Sequence, residues 1–372
     1  MLNSHKQKKI AHVQVIPKLS GVQRVSLDIL SNLPSYYDKY IIFGGDYEAE
    51  KELINECERN KIKVIFIEDL RREISFRDFN AFFNLLKLFN TMKFDIIHTN
   101  STKPGIIARL AAKVARCKKI VHTVHGIAFH RFEKFPLRII YLIIEAFCSF
   151  FSHYLISVNN YYLKYYPHIK NKKTIHNCVN TDNFNLSYKN NGSILNVGFM
   201  SRLDFQKDPL TLCKAILYGI ENGFFKKENI KVLIGGDGEL KSECQIFIEK
   251  HSLESVFKFV GWVKNKDDFY NSIDVFCLPS LYEAFGLVLL ESAFYEIPAI
   301  ASRVEGIPEI VKHDFNGMLI TPRNYQELAI CLKKYNDDKN LLYKHGRNAK
   351  NNLTENFKFQ SMIDNYIGIY ED

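Results

Sequence analysis

The sequence carries no C-x-x-C pair and no Cys/His spacing that suits a metal ion, although 8 cysteines and 12 histidines are spread along its 372 residues. Scattered thiols argue against a disulfide framework and for a reducing, cytoplasmic setting. A metal-binding cluster of D-x-D character is also missing, so the expectation is chemistry without a metal or other cofactor. Met1 to Ile10 are polar and basic and lack the apolar stretch of a secretory signal. No apolar run reaches the roughly 20 residues of a membrane span. Leu137 to Phe151 comes nearest, but Arg138 and Glu145 interrupt it, so it reads as a buried helix. There is no internal repeat at solenoid period and no low-complexity tract. Helix-turn-helix, zinc-finger and RNP patterns are missing, so nucleic acid is not an expected partner. The turn Gly235-Gly236-Asp237-Gly238-Glu239 invites a dinucleotide reading, but position 241 is Lys where G-x-G-x-x-G needs glycine.

What is present is a globular chain, with 47% hydrophobic and 24% charged residues. Its length exceeds one ordinary core and suits two domains. The net charge of +9 is concentrated in the first half, where residues 100–175 hold 13 basic and 2 acidic side chains. Such a bias calls for an anionic partner, and an anionic membrane surface or a lipid diphosphate would meet basic residues 103–173. Short runs rich in Ile and Val alternate with helix-length segments, among them Tyr40–Phe43, Asp95–Thr99, Lys119–Val124, Ile194–Met200 and Val275–Leu278. Runs without polar alternation are strands buried on both faces, so the fold class is α/β with parallel, doubly wound sheets. A polar break near Ser187–Ser193 predicts domains over 1–188 and 189–356, and ligand binding at the carboxyl ends of their strands.

One stretch organises the second half. Val275-Phe276-Cys277-Leu278 reads as a buried strand, Pro279 and Ser280 stop it, and Gly286 opens a helix over Leu287–Phe294. The helix start near Phe285, Gly286 and Leu287 offers backbone N–H groups and a positive dipole end to an anion such as a diphosphate. Glu283 and Glu291 flank that cradle and can accept hydrogen bonds from hydroxyls. The ligand predicted is a diphosphate with polyols on both sides, which is a nucleotide-sugar. Earlier, Asn196 to Pro209 reads as strand, glycine, then Arg202 and Lys207 in a loop, a pair suited to clamping a diphosphate. Gly21, ahead of a helix over Val22–Leu30, allows close backbone approach. His125 ends a strand beside Gly126 and is the better site candidate of the pair His122 and His125, which point to opposite faces in an extended chain. Arg24 meets either an anionic acceptor or a neighbouring acid, and the polar run His98–Gly105 is expected to line the ligand cleft.

The string P-S-L-Y-E-A-F-G-L-V-L-L-E at 279–291, with G-I-P-E-I-V at 306–311, resembles the E-x7-E region of retaining family 4 glycosyltransferases of the GT-B fold. Asn196–Pro209 resembles the same family's G-R-L-x-x-x-K segment, with Ser201 where glycine is usual. His122-Thr123-Val124-His125-Gly126 resembles the enzymes that build bacterial surface polysaccharides, capsule and O-antigen. The resemblance implies two Rossmann-like domains facing each other across a cleft, with the last helix, about 357–372, returning to the first. It implies that Glu283 faces the donor sugar, Glu291 the ribose and His125 the donor sugar. Gly236 would approach the nucleotide, and backbone near Val263 would hold the base. The implied reaction moves a sugar, expected to be UDP-linked, onto a hydroxyl of a polyprenyl-diphosphate-linked oligosaccharide, with retention, at the inner face of the cell membrane. Two alternatives share these features: a nucleotide-sugar 2-epimerase, and a non-catalytic protein that binds nucleotide-sugar or anionic lipid.

Overall fold

The computed structural model describes residues 7–45, 50–73, 75–182, 184–186 and 192–372. Along the chain the elements are β1 (Lys8–Val13), α1 (Gly21–Ser31), β2 (Tyr37–Gly44), α2 (Lys51–Arg59), β3 (Ile62–Ile67), α3 (Arg77–Met92), β4 (Ile96–Asn100), α4 (Thr102–Val114), β5 (Lys119–Val124), α5 (Phe135–Ser149), β6 (Tyr154–Ser157), α6 (Asn160–Leu163) and β7 (Lys172–Thr174). They continue as β8 (Leu195–Met200), α7 (Pro209–Glu221), β9 (Ile230–Gly235), α8 (Lys241–Lys250), β10 (Phe257–Gly261), α9 (Lys266–Asn271), β11 (Val275–Leu278), α10 (Leu287–Phe294), β12 (Ala299–Ser302), α11 (Ile307–Ile310), β13 (Gly317–Ile320), α12 (Tyr325–Asp337), α13 (Lys339–Asn356) and α14 (Phe359–Glu371). Contacts divide the chain into two units. One runs to Asn177 and includes Phe359–Asp372; the other is Cys178–Lys358.

The first unit is a seven-stranded parallel sheet in the order β3-β2-β1-β4-β5-β6-β7. Ala11, Val13, Ile42 and Ile97 of its central strands meet Leu85, Phe89 and Ala108 from the helices. Lys8 and Lys9 pair in register with Tyr37 and Asp38 despite their charge. Beyond Val13 the backbone still reaches β2, with the Gln14 amide donating to the Ile42 carbonyl at 2.9 Å.

The terminal helix α14 covers one side of this sheet. Tyr370 shares hydrogen bonds with His98 at 2.6 Å and with His12 at 3.1 Å, and His98 continues to Thr123 at 2.8 Å. His98 is therefore sealed inside the unit, not lining a cleft as expected, because its strand neighbours place it under α14.

The second unit is a six-stranded parallel sheet in the order β10-β9-β8-β11-β12-β13. Val197, Phe199, Ile234 and Val275 pack on Leu212, Leu328 and Leu332. The predicted break at 187–193 falls largely on 187–191, which lie outside the described residues. The second unit nevertheless begins before it. Phe184 stacks on Tyr295 with ring centroids 5.7 Å apart, and Asn185 donates to Asp267 at 3.0 Å.

The expectation of a buried helix at 137–151 fails. Of α5 only Glu145, Cys148 and Ser149 are buried, and its isoleucines and phenylalanines stand largely in solvent. Arg109 and Glu145, paired at 2.9 Å, take the interior position beneath it. Among the described residues no helix is long and apolar enough to cross a membrane.

Candidate functional site

In the second unit the strand order reverses between β8 and β11. Successive crossovers run outward from β8 through β9 to β10, and from β11 through β12 to β13. The loops after β8 and β11 therefore splay apart and leave a crevice at the carboxyl edge, where doubly wound sheets take ligands. The first loop is Ser201–Asp208 and the second Pro279–Gly286. Arg202, Lys207, Glu283 and Gly286 all lie on these two loops.

Three hydrogen bonds stitch the loops together. The Leu281 amide donates to the Gln206 carbonyl at 2.8 Å. Gln206 Nε2 donates to the Tyr282 carbonyl at 3.1 Å, and its Oε1 accepts from Arg202 Nη2 at 3.0 Å. Lys207 Nζ donates to Glu283 Oε2, and both side chains are only 11% exposed. A lysine ammonium has three donors, so this bond leaves two for another anion. Arg202 is about half exposed and rests on Asp204 at 3.0 Å. Behind Glu283 the chain turns through Glu305, whose φ of 41° lies in the left-handed region that favours glycine. That turn lets the Gly306 amide donate to the Glu283 carbonyl at 3.2 Å.

Gly286 has a φ of 88° and stands at the N-cap of α10, which has no side-chain cap and no acid in its first turn. First-turn amides lack intrahelical acceptors, so Leu287 and Val288 begin a helix end suited to an anion. Phe285 was expected to serve the donor as part of this helix start, through its backbone. It is buried and packs edge-on against Phe357 at 5.9 Å, so only its backbone is placed for contact. Glu291, one turn further along α10, is buried. Its carboxylate accepts from Tyr270 at 3.0 Å and from Lys266 at 2.7 Å. Burial and the Glu291 carboxylate push the Tyr270 hydroxyl well above its ordinary pKa, so it remains a donor.

Gly236 is required by space: a Cβ there would meet the Ser201 carbonyl at 1.9 Å, at a φ of 120°. Its amide already donates to the Gly261 carbonyl at 2.6 Å, which ties the β9 turn to the β10 turn. Val263 packs into the room left by Gly235, while Trp262 is exposed.

In the first unit the strand order reverses between β1 and β4. Gly21 opens α1 at that edge and is exposed. Arg24 meets a neighbouring acid, Glu56, at 2.5 Å. His125 follows β5 and bonds Asn100, at the end of β4, at 3.1 Å. Desolvation pushes its pKa down to about 3, which keeps the imidazole neutral. His122 is interior, 2.9 Å from the Thr99 hydroxyl and 3.8 Å from Glu145. Its pKa is also lowered well below the ordinary value, by burial and then by Arg109.

Sequence reasoning missed Gln206, Tyr270 and Lys266. Gln206 lies between two assigned cations, but nothing in the sequence marks it as the residue that ties the loops together. Tyr270 and Lys266 carry no motif and reach Glu291 only through the tertiary fold.

These observations define a GT-B glycosyltransferase. Residues 19–183 match the family described as glycosyltransferase family 4, and residues 187–352 match glycosyl transferases group 1. The chain belongs to family 4 of the glycosyltransferases. It is 30% identical over its whole length, and 99% of the relative's, to an Escherichia coli UDP-Gal:α-D-GlcNAc-diphosphoundecaprenol α-1,3-galactosyltransferase. It is 26% identical to a Campylobacter jejuni N-acetylgalactosaminyltransferase acting on a diphosphoundecaprenol-linked glycan, with 92% of each chain covered. A Staphylococcus aureus capsular polysaccharide glycosyltransferase is 22% identical over 98% of this chain and 97% of its own. Among solved structures, Anabaena HepE in complex with UDP and glucose shares the fold, with a TM-score of 0.82 at 18% identity over 99% of this chain and 100% of that one.

Proposed function

We propose that the enzyme moves a sugar from a UDP-sugar to a hydroxyl of a polyprenyl-diphosphate-linked oligosaccharide, with retention of anomeric configuration. The work is done at the inner face of the cell membrane, in surface polysaccharide synthesis. The observation that carries the reading is the Lys207–Glu283 pair, with Arg202 tied to the same loops at the reversal of strand order. A carboxylate paired with one cation, with a second cation and a helix start on the same two loops, matches a sugar diphosphate: hydroxyls for the acid, phosphates for the cations. The named donor and acceptor of the E. coli relative support the UDP and lipid-diphosphate parts.

In this reading Arg202, Lys207 and the first-turn amides of α10 stabilise charge growing on the departing diphosphate. Glu283 orients sugar hydroxyls and Glu291 holds the ribose. The acceptor oxygen bonds the anomeric carbon from the face the diphosphate leaves, and its proton passes to the leaving phosphate oxygen. Neutral His125 donates to or accepts from the sugar without carrying charge. No step uses a metal, so turnover persists in EDTA.

The test is an assay of UDP-sugars with and without lipid-diphosphate glycan. Acceptor-dependent release of UDP with an α-linked product supports the proposal. Conversion of donor in the absence of acceptor overturns it in favour of a 2-epimerase.

A further inference from the structure

The helices α3, α4 and α5 lie side by side over one face of the first sheet, and their outer surface carries apolar stripes. Phe76, at the N-cap of α3, and Phe79 and Phe83 within it recur at spacings of three and four, which puts them on one stripe. Phe76 is 91% and Phe83 61% exposed. Val114 continues the surface on α4. On α5, Ile140, Ile143 and Phe147 repeat the same spacing, with Ile143 61% and Phe147 62% exposed. Contiguous exposed side chains of this size mark an interaction surface, since isolated ones need no partner but stripes on adjacent helices do.

Cations without an acidic partner stand on this face. Lys113 and Arg116 stand at the end of α4, and Lys134 and Arg138 at the start of α5. None of the four has an ion-pair partner among the described residues. Most other basic residues in 103–173 are engaged elsewhere. Arg109 is buried against Glu145, Lys103 holds Asp78 at 2.6 Å, and Lys118 holds Asp95 at 2.6 Å. Lys164 lies 3.4 Å from the centre of the Tyr161 ring, and Lys172 and Lys173 bond the Tyr166 carbonyl and Asn365. Apart from Lys170, which follows α6, the broad basic segment thus reduces to four cations beside two apolar stripes. Apolar side chains with cations at their margin match a layer that is anionic at its surface and hydrocarbon beneath.

We propose that the α3–α4–α5 face rests on an anionic bilayer, with Phe79, Phe83, Ile143 and Phe147 entering the headgroup boundary and Lys113, Arg116, Lys134 and Arg138 at the phosphates. The inference deepens the proposed function by giving the enzyme a route to a lipid-linked acceptor, but its physical basis is this face alone.

The experiment is co-sedimentation of the purified full-length chain with vesicles at low salt, comparing phosphatidylglycerol-rich with pure phosphatidylcholine vesicles. Strong binding to the anionic vesicles is expected. In Phe79→Ser/Phe83→Ser and in Ile143→Ser/Phe147→Ser, binding falls at least roughly tenfold, since each inserted side chain carries about that factor. In Lys134→Glu/Arg138→Glu it falls and loses its salt dependence. The substituted side chains are exposed, or half-buried in the case of Arg138, so thermal shifts by UDP remain as in the parent. A parent chain that ignores anionic vesicles overturns the proposal, as do serine variants that bind like the parent. A dimeric parent that the serine variants convert to monomer also overturns it, because the face is then covered by a second copy. Vesicle binding without any response to nucleotide-sugars sinks the transferase reading and leaves this inference standing.

Discussion

Replacing Lys207 by alanine separates two roles of one ammonium. In the folded chain its charge sits against Glu283, with both side chains only 11% exposed. Removing one member of a buried pair costs ~3–5 kcal/mol, because the other charge is left without compensation. The small opening to water puts Lys207→Ala near the lower end of that range. The unit Cys178–Lys358 is large enough that 1 kcal/mol moves its melting temperature by about 2–4 °C. A loss of roughly 6–12 °C follows for its transition, read by calorimetry. Glu283→Gln removes the need for a cation, so the double variant Lys207→Ala/Glu283→Gln recovers ~1–2 kcal/mol relative to the sum of the single changes. Turnover obeys a different rule. A charged hydrogen bond to the departing diphosphate is worth ~1.5–3 kcal/mol, so kcat/KM falls roughly ten- to a hundredfold. It does not recover in the double variant. Near-normal turnover in a folded Lys207→Ala protein refutes the assignment to the diphosphate. Strict additivity of the melting temperatures refutes the ion-pair argument.

Arg202→Ala is the complementary case. Its half-exposed contact with Asp204 contributes at most about 1 kcal/mol to stability, yet kcat/KM should fall as steeply as for Lys207, within reach of a steady-state UDP-release assay. Gly236→Ala places a methyl group 1.9 Å from the Ser201 carbonyl at a φ of 120°; a destabilisation of at least ~3 kcal/mol is expected in denaturant titration. The pH dependence of stability should be steep on the acid side. Buried His12 has its pKa lowered to about 3, first by burial and then by His125, and His98 and His122 are lowered as well. The unfolded chain binds protons below about pH 6.5 that the folded chain refuses. Stability is therefore complete above that pH and is lost as pH falls toward 3, at about 1.4 kcal/mol per pH unit for His12 alone. Denaturant midpoints measured across pH 4–8 check the sign. With a pKa of about 3, His125 also leaves no inflection near pH 6.5 in kcat/KM.

The two sheets were legible because their strands are short Ile/Val runs spaced by helices, and the helix Leu287–Phe294 has the bounds its glycine start implies. β7 was not legible: Lys172–Thr174 has no apolar signature and forms only because β6 offers an open edge. α5 was misread because hydrophobicity alone cannot distinguish a helix that packs from one that faces outward. Its interior positions went to Glu145, Cys148 and Ser149. The cations and acids of the second unit were legible as motifs, since each motif lies at a strand end. Their partners were not, because Gln206, Tyr270 and Lys266 acquire meaning only when the loops close on them.

The Tyr370–His98–His12 cluster joins residues from the two extremes of the chain. Synthesis delivers the strands that carry His12 and His98 long before the helix that carries Tyr370. While residues 178–358 are being made, the first sheet waits with two imidazoles and a bare flank exposed to water. The first unit is thus completed only after the second has been made, and a stop codon placed just before Phe359 would strand it in that half-clad condition.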